Sequence, residues 1–217
     1  MAVSFEKGIE MLNHDKNAIQ VMKDFVEGKT DITAFKFAFE NNKCLKETLN
    51  SDPLCPQNTR YLPTGSKNII QYLESIDWVK RGGQLCVWGE IERFLVRYNY
   101  PHNPTKDYRE KFNFLLDIQP RWLDILDEKF LIDEVISKIP EGLTKGKKIA
   151  WCKTRIKQLF QYEKSYPRWV QSPEWPIVDG IPLIFKKQEN DKNDSEKVNF
   201  IFYNSSDGEE HIVVQWY

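Results

Sequence analysis

Up to about Tyr162 the apolar residues of this chain recur three and four positions apart, and beyond Tyr166 they alternate. The first spacing suits one face of a helix and the second suits a half-buried strand. The switch restricts the chain to an α+β fold, with a helical body over 1–165 and a C-terminal β-meander over 166–217 packed on it as one unit. It coincides with the stretch YPRWVQSPEWPIVDGIPLIFKKQ (166–188), which holds four of the eleven prolines and two of the seven tryptophans. Proline interrupts helices and interior ladders alike, so this stretch is expected to be a packed seam or a recognition surface.

Within the helical part, Ala18–Glu27 and Asp31–Leu49 read as two antiparallel helices broken at Gly28, with Asp31 or Thr30 as N-cap. The segment 51–66 is rich in Pro, Asn and Gly and reads as a long loop. Helices are expected over Asn68–Trp78, capped by Ser66, and over Gln84–Tyr98, the two separated by Gly82-Gly83. Others follow over Tyr108–Ile118, Trp122–Leu126, Phe130–Ile139 and Leu143–Tyr162. Strands are expected over Pro182–Lys187, Val198–Tyr203 and His211–Trp216, with a polar loop before the second and a turn at Gly208. Three short strands do not stand alone in water, so their apolar face requires a helical partner.

The formal charge of −1 argues against a chain-wide attraction to nucleic acid or to an anionic membrane. That balance conceals an island. Residues 144–170 carry eight Lys/Arg (Lys145, Lys147, Lys148, Lys153, Arg155, Lys157, Lys164, Arg168) against Glu163 alone. No apolar run is long enough for a signal peptide or a membrane span, and a cytoplasmic location is expected. The four cysteines are scattered with no CxxC spacing, so neither a disulfide framework nor a metal site is expected. No cofactor motif stands out either.

Candidate partner-binding residues fall in two groups. Trp169, Gln171, Glu174 and Trp175, with Trp216 and Tyr217, could line a cleft; the plainer alternative is a small core joining meander to helices. Lys145, Lys148, Lys153 and Arg155 lie on the basic helix, whose outward face could dock an acidic protein or a nucleic acid, or simply be solvated. The run Gly142–Lys148 is not a phosphate-binding loop, because its glycines are too close and no Ser/Thr follows Gly-Lys. Gly82-Gly83-Gln84 is too short to signify. The three histidines show no local catalytic signature, and a pair made by His102 with Cys86 or Cys152 is the only nucleophile–base arrangement worth testing. An enzyme is thus the less favoured class, with no catalytic residues to name.

The layout FVEGKTDITAFKFAFENNKCLKETL (25–49), GGQLCVWGEIERFLVRYNYPHNPT (82–105), FNFLLDIQPRWLD (112–124), PRWVQSPEWPI with GIPLIF (167–185) and FYNSSDGEEHIVVQWY (202–217) resembles bacterial proteins that include immunity proteins of polymorphic-toxin systems. The resemblance spans nearly the whole chain and brings no catalytic residues. It implies a cytoplasmic protein that binds a cognate toxin and neutralises it by occlusion. The last block also resembles strands that elsewhere carry metal-binding cysteines; those cysteines are absent here, so zinc is not implied.

Overall fold

The computed structural model describes residues 14–51, 66, 68–123, 128–192 and 194–217. It has the α+β architecture that the periodicity requires, with helices first and a three-stranded antiparallel sheet at the C-terminal end. Compactness divides the chain into Met1–Asn113 and Phe114–Tyr217. The change of period at 166 lies well inside the second unit. Local periodicity records only the kind of element, whereas compactness records which elements share a core, and this sheet shares its core with helices.

The first unit holds α1 (Lys16–Val26), α2 (Ile32–Asn41), α3 (Lys43–Asn50), α4 (Ile69–Ser75), α5 (Arg81–Arg97) and the start of α6 (Asp107–Ile118). Side-chain caps set several of the starts. Asp15 accepts from the Ala18 amide at 2.8 Å and Asp31 from Ala34 at 2.8 Å. The single helix expected over 31–49 is two, because Asn42 leaves helical geometry (φ −98°, ψ 103°) and its side chain caps α3 at the Leu45 amide. Asn68, not Ser66, caps α4. Gly82 and Gly83 do not break a helix but open α5. A Cβ on Gly83 would lie 1.9 Å from the Asp77 carbonyl oxygen, so only glycine allows the chain to turn back this closely.

Aromatic rings fill this core. Phe25 stacks on Phe35 at 4.1 Å, and Trp78 packs on Phe35 and Phe39. The buried indole N–H groups find carbonyls, Trp78 donating to Leu73 at 2.7 Å and Trp88 to Val26 at 3.1 Å.

Among the described residues, the second unit holds the end of α6, α7 (Glu128–Glu134), a 3-10 turn (Ile136–Lys138), α8 (Lys145–Leu159) and five strands. Of these, β1 (Ile177–Val178) and β2 (Ile181–Pro182) form a hairpin absent from the expectations, while β3 (Ile184–Asn190), β4 (Lys197–Tyr203) and β5 (Glu210–Trp216) form the meander in that order. Asp179 and Gly180 both have positive φ (50° and 76°), the geometry of a two-residue hairpin turn, which Asp-Gly favours. The loop expected after Lys187 is shorter than its polarity suggests, because β3 continues to Asn190 opposite Val198. Most of the helix expected over Trp122–Leu126 and of the 51–66 loop lies outside the described residues.

Phe185, Val198, Phe200 and Phe202 form the sheet's inner face and share a core with Cys152, Ile156 and Phe160. Trp175 fills the centre, 5.5 Å from Phe160 and 5.3 Å from Phe202 between ring centres, and its indole donates to Leu183 O at 2.8 Å. Burial pushes the Cys152 thiol up, which keeps it a neutral apolar group.

Candidate functional site

The first half of the Trp/Pro stretch belongs to a strap, residues 161–176, held to the sheet by two glutamines. Gln215 on β5 is completely buried, and its alternating position points it at the core face beside Val213. A buried amide requires partners, and the strap supplies them. Gln215 Oε1 accepts from the Val170 and Gln171 amides at 3.0 Å each, and its Nε2 donates to Ser172 O at 2.7 Å. Gln171 returns the contact, donating to Trp216 O at 3.0 Å. On the other side of the sheet, Gln188 accepts from the Arg168 amide at 2.7 Å.

Among the candidate residues, Trp169 is half-buried with its indole donating to Trp122 O, and Trp175 is buried. Their rings lie against Phe200, Phe202 and Phe160. Gln171 and Glu174 are exposed. What the seam presents outward are apolar side chains of the last strand and its end: Trp216 is 48% exposed, Tyr217 76% and Ile212 53%. Sequence alternation could have singled out Gln215 as an amide on an apolar face, but not the carbonyl and amides it meets more than forty residues upstream.

The basic residues are spread more widely. Lys145, Lys153 and Lys157 are exposed on α8, and Lys148 and Arg155 are half-buried. Lys145 sits at the helix N-terminus, where a cation is disfavoured; Asp117 lies 3.5 Å away and offsets this. Farther along, Lys164 and Arg168 join Lys186 and Lys187 around a groove of about 290 Å³ floored by Phe185. A β-bulge between Phe185 and Lys187 breaks the alternation there, so consecutive lysines line the same groove. Lys186 pairs with Glu210 and Lys187 with Glu189, both at 2.6 Å, and the first pair holds the Glu210 carboxyl below the usual range.

The two described histidines of the first unit are engaged in hydrogen bonds. His14 Nδ1 lies 2.9 Å from the Tyr100 hydroxyl and Nε2 3.1 Å from Ser51 Oγ. Ser51 Oγ donates its own proton to Thr48 O at 2.6 Å. It therefore accepts from Nε2–H, so His14 is not placed as a base that activates this serine. His102 Nδ1 is within 2.7 Å of Tyr100 O, and among the described residues no hydrogen bond joins His102 to the Cys86 thiol. A groove of about 360 Å³ lies over Phe39, Ile76 and Trp78, rimmed by charges of both signs.

Among the described residues, no three His, Cys, Asp or Glu side chains are grouped to hold a metal, and no helix is long and apolar enough to cross a membrane. No known protein family, curated protein or solved structure matches the chain.

Proposed function

We propose that this chain is a protein-binding module which works in the cytoplasm and neutralises a cognate bacterial toxin by occlusion. The observation that supports a protein partner is the exposed apolar surface of Ile212, Trp216 and Tyr217 beside a strap pinned by Gln215. Trp and Tyr dominate the energetics of protein interfaces, and a pre-ordered surface loses little entropy on docking. The turn and last strand, residues 204–217, carry Asp207, Glu209 and Glu210 and no Lys or Arg; Lys186 pairs with Glu210, and the other two carboxylates disfavour a polyanion at this surface.

The test is affinity purification with the products of neighbouring genes, followed by an activity assay of any captured toxin. The reading predicts a stoichiometric complex that silences the toxin and is weakened at least tenfold by Trp216→Ala. Absence of a toxin gene nearby, or a captured toxin that stays active, would sink it. Nucleic-acid binding through α8 is the competing outcome, marked by affinity that falls steeply with salt and is insensitive to Trp216→Ala.

A further inference from the structure

The backbone of β5 offers more than its side chains do. In an antiparallel ladder, hydrogen-bonded pairs alternate with pairs whose amides and carbonyls face away. The Asn204 amide donates to Glu209 O at one end of the β4–β5 pair, and the Tyr217 amide donates to Glu196 O at the other. With the register between them unbroken, His211, Val213 and Gln215 direct their backbone groups to β4. Glu210, Ile212 and Val214 therefore turn both N–H and C=O outward, as Trp216 does its N–H. Among the described residues nothing pairs with them; only the Trp216 carbonyl is taken, by Gln171.

Proteins ordinarily guard such an edge with lysine, proline, a bulge or a covering segment. β5 has none of these. Its residues are Glu210, His211, Ile212, Val213, Val214, Gln215 and Trp216, its pairing is regular, and Ile212 stands more than half exposed on the outer face.

We infer that β5 is a docking edge that adds a strand from the partner, and that this strand is an extended, basic segment. The inference rests on the protein-binding reading above and specifies its mode. The charge at the turn selects the occupant: Glu210 is already shared with Lys186, while Asp207 and Glu209 beside it are exposed carboxylates with no cation among residues 204–217, and they favour Lys or Arg on the incoming strand. They also disfavour a second copy of this edge, which would bring a like charge. Main-chain hydrogen bonds supply affinity in this mode, and the alternate side chains over Ile212, Val214 and Trp216 supply selectivity.

The experiment uses the whole chain and a blocked peptide of alternating valine and lysine, about eight residues long. Its acidic counterpart, with glutamate for lysine, and a version N-methylated on alternate residues serve as controls. The expected result is binding of the lysine peptide with at least tenfold slower amide exchange at Ile212 and Val214. The controls should bind at least tenfold more weakly. Val214→Pro should abolish binding without disturbing the β4–β5 ladder, because the amide it removes faces outward; if that variant does not fold, the N-methylated peptide makes the same test. Equal binding of the acidic peptide, or protection located away from β5, would overturn the proposal. So would self-association of the free protein with Ile212 and Val214 already protected. A toxin captured and silenced equally well by Val214→Pro would overturn the edge-pairing mode while leaving the binding-module reading intact.

Discussion

β3 and β5 are edge strands of the same sheet and have seven residues each, but their outer sides are treated differently. Along β3, the Phe185 amide donates to Gln161 O and its carbonyl accepts from Glu163, forming a short parallel bridge at Tyr162. A bulge, two lysines and the Gln188 clamp complete the protection. The strap meets β5 only through side chains and one terminal carbonyl, so the middle of that edge stays open. The difference teaches that the strap has two functions. It covers one edge with backbone, and it stiffens the other without covering it.

The largest test of this contrast is Gln215→Leu. It strands two strap amides and the Ser172 carbonyl at a part-buried site, and should cost about 2 kcal/mol. Urea unfolding would measure the loss, and faster amide exchange at Val170 and Gln171 would locate it. Stability unchanged within error would show that the clamp is not what holds the strap.

Alkali should loosen the strap as well as the first unit, where burial likewise pushes the Tyr108 phenol up to about 12. Burial, and then the hydrogen bond that its hydroxyl donates to Tyr162, push the Tyr166 phenol up to about 12. A folded-state value above the ordinary one of about 10 stabilises the protein fully below pH 10, and this contribution is lost as pH rises towards 12. The urea midpoint should fall over that window, and Tyr166→Phe should flatten the fall. Gln188→Ala should be milder, about 1 kcal/mol, because it releases a single exposed amide. Smallest for stability is Ile212→Lys, within about 0.5 kcal/mol. Its interest lies elsewhere, because a lysine would give β5 the guard that β3 already has and should weaken partner capture while the thermal midpoint stays put.

Much of the architecture was legible from spacing alone. The alternation of Val198, Phe200 and Phe202 marked the inner face of the sheet, and Asp31 and Gly208 marked a cap and a turn that the structure contains. Interruptions were harder to place. Asn42 splits a continuous apolar pattern through its own capping bond, and Gly82-Gly83 looks like a break but serves a close approach to Asp77. Both outcomes depend on neighbours that spacing does not encode. The candidate surface was legible only in outline. Of the four aromatics that drew notice, Trp169 and Trp175 have their indole N–H groups bonded within the fold, while Trp216 and Tyr217, at the end of β5, are exposed. Which edge of a sheet stays open is a property of assembly, and alternation reads the same for both.

The Gln215 clamp also carries a consequence in time. The strap is synthesised more than forty residues before the glutamine that satisfies it. While the chain is emerging, the Val170 and Gln171 amides can be paired only with water, and Trp175 lacks Phe200 and Phe202 to pack against. The second unit therefore closes late, once its last strand is available, and closes as a whole because the contacts it depends on are distant in sequence. A stalled ribosome displaying everything up to β4 would carry an unfinished unit, and release of β5 would be the step that locks it.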